Sequence, residues 1–379
     1  MQRGTFQLMK TVNRSLILNK IRMSSPISRA DIAKETGLTP PTVSTIVKEL
    51  MEQGLVEENK LGSSSGGRKP TMLHIKTDEF FVIGVDAGPD TVDCILTNLT
   101  GEMLGIVSQP LRVHTNREFL HQVEQAIQQL LDKHGMQTEQ IIGIGVAMHG
   151  VVDSETGVSR VAPLLGLHDI PIKQQLEDKF SIPVKVDNDA RAMALGESWF
   201  GGFDIQDSMV AVNIGRGVGA GIIIGGKLFH GASGLAGELG HMSIDPNGEK
   251  CACGNRGCLQ TLASGPSIAR RAKMASGEAV YQAARAGDEE ARVILEKTGQ
   301  ILGIGLINLI HLLNPDRIIL GGGVMESADF LFAPLKEEIA SRALTEQAAK
   351  TEIMISKHGK HATAIGAAAL QLIDLFAPV

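Results

Sequence analysis

Residues 208–231 read SMVAVNIGRGVGAGIIIGGKLFHG, and their layout decides what kind of body this chain has. An apolar run enters a turn at Asn213-Ile214-Gly215-Arg216-Gly217, and a second apolar run leaves it. That is a strand, a glycine turn and a strand. The same layout occurs earlier, where FFVIGVDAG (80–88) leads into CILTNLTGEMLGIV (94–107), with a hairpin expected around Thr100-Gly101. An amphipathic helix is predicted over 117–134, and IIGIGVAMHGVVD (141–153) reads as one further buried strand. Two halves, each ordered βββ then αβα, predict a duplicated α/β fold with a cleft between lobes.

Glycine turns after strands recur at Asp86-Ala87-Gly88, Gly215-Arg216-Gly217 and Gly321-Gly322-Gly323. Such turns present backbone N–H groups and can cradle phosphates. Each is a weak signal alone. Together they point to a nucleotide-binding ancestry of the sugar-kinase and actin type.

At 379 residues, 43% of them hydrophobic and 21% charged, the chain is long enough for two or three domains. The basic and apolar residues at its start are not followed by a small-residue cleavage site, and no apolar run reaches the ~18 residues a membrane span needs. The expected setting is the cytoplasm, away from membranes. Charge divides unevenly: residues 1–70 hold eleven Lys/Arg against six Asp/Glu, while the remainder holds 25 against 36. A basic front on an acidic body suits a front that meets a polyanion.

That front has its own pattern. An amphipathic segment runs from Phe6 to Met23, a second starts at Ser28 with Asp31 in capping-box register and stops at Gly37, and a third starts at Thr39-Pro40. Val43, Ile46, Val47, Leu50 and Met51 share one face of the third, which Gly54 closes. The opposite face offers Thr39, Pro41, Thr42, Ser44, Thr45 and Lys48, small, polar or cationic as a helix in a major groove requires. Leu55–Glu58 and Thr71–Ile75 read as strands flanking GSSSGGRKP (62–70), whose glycines allow close approach and whose Arg68 and Lys69 suit a groove or backbone. The prediction is a winged helix-turn-helix over 1–76, with its wing at about 55–75.

Three of the four cysteines crowd into HMSIDPNGEKCACGNRGCLQ (241–260). His241, Cys251, Cys253 and Cys258 supply one nitrogen and three sulfurs, enough for a closed tetrahedral Zn²⁺ site of structural type. The isolated Cys94 reads as a buried thiol.

Over essentially its whole length the chain resembles the repressor, open-reading-frame and kinase (ROK) family, and most of all its xylose-repressor branch. The matching stretches are SSGGRKP, GVDAGPD, KVDNDARAMALGE, GVGAGIIIGGKLFHGASGLAGELGHM, CACGNRGCLQTLAS and DRIILGGGV. The resemblance implies an α/β chain: an N-terminal winged helix-turn-helix followed by a two-lobed, actin-like and sugar-kinase-like (ribonuclease H-like) ATPase-type fold. Its first lobe would span 79–200 plus 365–379, and its second 201–364 with the zinc site and a dimerisation surface. Carried over by motif, Asn188, Asp189, Glu238 and His241 would bind sugar hydroxyls, with Gln260 where the family usually has Glu. In family kinases the position of Asp189 is the general base.

Departures favour a repressor over a kinase. The first phosphate loop carries Pro89 and Asp90 in place of (Gly/Ala)-Thr, removing an N–H and adding a negative charge, and Arg216 sits in the second. ATP is therefore not expected as a cofactor. Leu164-Leu165-Gly166-Leu167 replaces an Asn-Leu-Gly-Trp-like loop, and His149 stands in place of a proline. The implied protein is a homodimer, or alternatively a tetramer, binding operator DNA at the nucleoid and released by xylose or a related monosaccharide. The rival is an ATP-dependent sugar kinase with a fused DNA-binding head.

Overall fold

The computed structural model describes residues 6–59, 70–203 and 207–376. The N-terminal unit opens with α1 (Phe6–Ser24), β1 (Ile27–Ser28), α2 (Arg29–Thr36) and α3 (Pro40–Glu52). Local chemistry sets these boundaries. Ser28 Oγ accepts from Asp31 N at the start of α2, and Gly37 ends it in the left-handed region at φ 70°. Thr39 caps α3, Pro40 occupies its first position, and Val43, Ile46, Val47 and Leu50 are buried. The strands β2 (Val56–Asn59) and β3 (Met72–Ile75) pair antiparallel with Val56 opposite Ile75. The sequence reading missed β1, which adds a third strand to this sheet by pairing Ile27 with Leu73. Residues 60–69, including Arg68, Lys69 and the wing tip, lie outside the described residues.

The body repeats one topology. Its first sheet holds β4 (Phe81–Ala87), β5 (Thr91–Asn98), β6 (Met103–Pro110), β7 (Ile141–Met148) and, further along the chain, β11 (Val184–Asn188). The spatial order is β11-β7-β4-β5-β6, with β4–β5–β6 antiparallel and β7 and β11 parallel to β4. The helix α4 (Asn116–His134) lies between β6 and β7 in the chain. The expected single strand over 141–153 is instead two, β7 and β8 (Val151–Asp153), with the break at His149-Gly150. Gly150 has φ 84°, and a Cβ there would lie 2.2 Å from the Val161 carbonyl oxygen, so glycine is what lets the chain break at this point. Together with β9 (Val158–Ala162) and β10 (Leu167–Ile170), β8 forms a small separate sheet. Two helices, α5 (Ile172–Phe180) and α6 (Asp189–Phe200), flank β11 in the chain.

The second sheet contains β12 (Met209–Ile214), β13 (Val218–Ile224), β14 (Lys227–Leu228), β15 (Arg317–Gly321) and β16 (Glu352–Ile355). Its order, β14-β13-β12-β15-β16, matches the first sheet strand for strand, again with antiparallel first members and parallel later ones. The helices of this half are α7 (Gln260–Ala263), α8 (Gly265–Ala272), α9 (Gly277–Arg285), α10 (Glu289–Leu313), α11 (Ala328–Arg342) and α12 (Glu346–Ala349). Among the described residues α10 alone is long and apolar enough to cross a membrane. Here its buried side chains, among them Leu295, Leu302, Leu306 and Ile310, join the second lobe's core with Leu331 and Leu335 of α11.

The last helix, α13 (Ala362–Phe376), returns to the first sheet and crosses α6 at very close range. A Cβ at Gly366 would fall 1.9 Å from the Ala192 carbonyl oxygen, and one at Gly196 would fall 2.7 Å from the Gly366 Cα, so glycine at both positions permits the crossing. One apolar cluster joins Ile17, Leu18 and Ile21 of α1 to Leu195 and Trp199 of α6 and Leu372 and Phe376 of α13. The winged head is therefore packed on the body and not merely tethered to it.

Candidate functional site

The cleft side chains converge where β11 runs into α6. Asn188 caps the helix: its Oδ1 accepts from Ala190 N at 3.0 Å and Arg191 N at 3.3 Å, while Nδ2 donates to the Gly150 carbonyl at 3.1 Å. Asn188 thus spends its acceptor on the helix and retains only a donor for a ligand. The first helical residue, Asp189, accepts from Ala190 N at 2.9 Å and from Asn213 Nδ2 of the second lobe at 3.3 Å. Burial, with the charge of Glu238 adding to it, raises Asp189 to about 6. Asp86, the penultimate residue of β4, is raised to about 8 by burial and then by the neighbouring charges of Asp189 and Asp93. At neutral pH this pair favours a protonated Asp86 beside an ionised Asp189, a donor and an acceptor side by side.

Glu238 and His241 approach from the second lobe. The His241 ring faces two ways: Nδ1 is 3.7 Å from Cys251 Sγ, and Nε2 is 3.9 Å from Glu238 Oε2. Cys253 and Cys258 sulfurs are also 3.7 Å apart, and all four donor atoms lie within 4.8 Å of one another. Tetrahedral Zn²⁺ with sulfurs at about 2.3 Å requires ligand separations of about 3.8 Å, so this donor set could hold a metal ion after shifts of about 1 Å or less. A knuckle shapes it, with Cys251 N donating to Asn255 O at 2.8 Å, Gly254 at φ 95° and Gly257 at φ 63°.

Two residues of the matched motifs have contacts that their motifs do not announce. Gln260 donates its amide nitrogen to Cys251 Sγ at 3.4 Å, so it supports the sulfur cluster and leaves only its oxygen free of that contact. Leu167 is buried in the first lobe's core on β10, because the 164–167 loop folds into the small sheet. It cannot take the place of an aromatic wall.

The sequence reading also missed a buried network. Asp187 accepts from Arg191 Nε at 2.6 Å and pairs with His230 Nε2 at 3.0 Å, while Arg191 donates to the carbonyls of Gly234 at 2.6 Å and Val152 at 3.3 Å. Burial acts to raise Asp187, but the His230 hydrogen bond and the Arg191 charge outweigh it and hold the carboxyl below its usual range. This network ties the 230–237 loop, which leads into Glu238, to the first lobe. Its one local trace is the Asp-x-x-x-Arg spacing of 187–191.

The two expected phosphate turns meet each other. Arg216 Nε lies 3.4 Å from Asp90 Oδ2, both side chains being more than half exposed. Burial lowers the pKa of His149, which keeps the imidazole neutral beside this turn.

On the head, Thr39, Pro41, Ser44, Thr45 and Lys48 are exposed along one face of α3, and Thr42 is partly so. Thr39 Oγ1 is 2.9 Å from Thr42 Oγ1 and also serves as the cap, so it is the least available of the set.

The model of the ROK family matches residues 82–373, and that of the MarR family matches residues 11–64. This chain belongs to the ROK family. A xylose repressor of Caldicellulosiruptor bescii is 32% identical, over 98% of this chain and 98% of its own. The N-acetylglucosamine repressor of Escherichia coli O6:H1 is 32% identical over 97% of this chain and 94% of its own. A solved ROK family transcriptional regulator, described as a homologue of the Escherichia coli MLC protein, superposes with a TM-score of 0.83 and 29% identity, covering 97% of this chain and 98% of its own. In this ROK chain the winged head and the two-lobed body thus follow one continuous architecture shared with that regulator.

Proposed function

We propose that this ROK protein is a sugar-responsive transcriptional repressor, with operator DNA held by the winged head and released when a monosaccharide enters the inter-lobe cleft. The head supports the first half: α3 presents Ser44, Thr45 and Lys48 to solvent on a helix whose other face is buried. The cleft supports the second. Asp189, Glu238, Nε2 of His241 and the remaining donor of Asn188 offer the mixed acceptors and donors that vicinal hydroxyls need. A structural Zn²⁺ on His241, Cys251, Cys253 and Cys258 would fix the His241 ring, and Gln260 would steady Cys251. The effector is xylose or another monosaccharide, since the relatives are repressors named for two different sugars.

The observation that carries repressor over kinase is the Asp90–Arg216 contact across the two phosphate-type turns. A triphosphate entering there would have to displace Asp90 from Arg216 and then face its carboxylate, at a turn where Pro89 supplies no N–H. Two like charges at ~4 Å near a protein surface repel by ~4 kcal/mol. Asp189 then acts as a sugar ligand and not as a general base. Two chains would place two heads on a pseudo-palindromic operator with half-sites about 34–36 Å apart, acting on the nucleoid in the cytoplasm.

The test is fluorescence anisotropy on the DNA upstream of the protein's own gene, at fixed salt, with D-xylose or N-acetyl-D-glucosamine added, beside an assay of ADP release from ATP. Tight binding weakened by one of the sugars, with no ADP formed, is the expected result. Sugar-dependent ADP release would overturn the choice of repressor over kinase.

A further inference from the structure

The helix α6 begins at the cleft and ends at the head. Its N-cap is Asn188 and its first residue Asp189; twelve residues at about 1.5 Å each carry it about 18 Å to Trp199 and Phe200. Along the way it touches the second lobe, because a Cβ at Gly221 of β13 would lie 2.3 Å from the Ala190 carbonyl oxygen. It is also locked to α13 by the Gly196–Gly366 crossing. The far end does not fade into solvent. Arg22 of α1 lays its guanidinium 4.7 Å from the centre of the Trp199 ring and 5.5 Å from that of Phe376, and donates Nη1 to the Trp199 carbonyl at 2.8 Å. Asn19 Oδ1 accepts from Nε at 3.1 Å and Nη2 at 3.0 Å, which sets the plane of the fork. Trp199 and Phe376 meet edge to face at 5.9 Å.

We propose that Arg22 and Trp199 are the positioning residues through which occupancy of the cleft reaches the DNA-binding head. This rests on the repressor reading above. Neither residue lies on the exposed face of α3 or in the first turn of α6; each acts through α6. The first turn of α6 faces both lobes, so lobe movement displaces it. A close-packed helix passes a shift to its end instead of absorbing it, since packed interiors deform little. A guanidinium stacked on Trp199 and bonded to that residue's carbonyl follows both ring and backbone, and a point-charge ammonium would follow less well. The apolar cluster beneath the head is non-directional; this contact sets an orientation.

Trp199 is the only tryptophan, so its emission reports on the joint directly. The first experiment is hydrogen exchange on the free, full-length protein, comparing wild type with Arg22→Gln. Faster exchange that extends from 196–200 back to 188–192 supports the proposal; loosening confined to α1 and the last turn of α6 overturns it. The second experiment follows anisotropy of the upstream DNA, with D-xylose and N-acetyl-D-glucosamine as probes, and Trp199 emission in the same cuvette. In wild type the active sugar should shift the emission as it weakens DNA binding. In Arg22→Gln, DNA and sugar should each still bind within about threefold, while the sugar's effect on DNA affinity falls from the ~5–150-fold usual for allosteric coupling to about twofold. Arg22→Lys should recover part of that effect. Full wild-type coupling in Arg22→Gln would overturn the proposal. A wild type whose DNA binding neither sugar moves would instead count against the repressor reading, and the exchange pattern would still decide the joint.

Discussion

The two lobes share a strand order but differ in what stands at the ends of the matching strands. The fourth strand ends Asp86-Ala87 and its counterpart in the second lobe, β12, ends Asn213-Ile214, so a carboxyl in one half corresponds to an amide in the other. The turn after each differs as well, Pro89-Asp90 in the first lobe and Gly215-Arg216-Gly217 in the second. The second lobe then adds the sulfur knuckle of 241–258, while the first adds the small β8–β10 sheet. Duplication places strand ends on both sides of one cleft. The residues at those ends differ in charge and in hydrogen-bonding capacity, and so in what each side of the cleft can bind.

The sharpest way to break the comparison is to remove a cysteine from each lobe. Metal binding contributes ~10–16 kcal/mol to folding in isolated zinc-finger peptides. Within a folded lobe the effect is smaller but still large. Cys258→Ala should reduce metal content measured by plasma emission from one per chain to near zero and lower the unfolding midpoint strongly. Cys94→Ala, a buried thiol with no neighbouring ligands, should cost only about 1–2 kcal/mol. Equal losses for the two variants would mean that the cluster binds no metal.

A smaller effect follows from making the first lobe resemble the second. Asp86 is raised to about 8. A carboxyl whose folded pKa lies above its unfolded value favours the folded state while protonated. That contribution is fully present below about 4 and is lost as pH rises through about 8. Asp86→Asn should therefore match wild type near pH 4 and be the more stable protein above pH 8, by on the order of 1–3 kcal/mol. Chemical denaturation at the two pH values checks this. An unchanged difference between them would mean that Asp86 is not held protonated.

Local signals were legible in the sequence, and closures were not. Ser28 and Thr39 announce their helices because a cap bonds three residues away, and the four metal-type donors fall within eighteen residues (241–258). The breaks and contacts that escaped depend on residues far apart in the chain. The one local mark of the end of β7 is Gly150 itself, and its need for glycine shows only once the distant Val161 carbonyl is packed where a Cβ would lie. His230 meets Asp187 forty-three residues away, and only the assembled lobes bring them together. Gln260 was legible as a polar cleft residue, yet Cys251 lies close enough to take its amide. Leu167 likewise sits in a loop whose sequence pattern gives no sign that the small sheet draws the residue into the first lobe's core.

The least costly contact is the one most telling about function. Asp90 and Arg216 bridge the two turns at 3.4 Å with both side chains mostly in water, and exposed pairs of this kind contribute about 0–1 kcal/mol. A double-mutant cycle with Asp90→Asn and Arg216→Gln should therefore find a coupling below about 1 kcal/mol in stability, shrinking further with salt. The same variants test whether the pair closes the turns to anions. If it does, Asp90→Asn leaves Arg216 without its partner, and binding of a fluorescent ATP analogue should rise from undetectable to weak, while Arg216→Gln should leave it undetectable. Should both variants remain blind to the nucleotide, the barrier lies in the backbone that Pro89 shapes, and the charge pair is a consequence of two facing turns and not the cause of their silence.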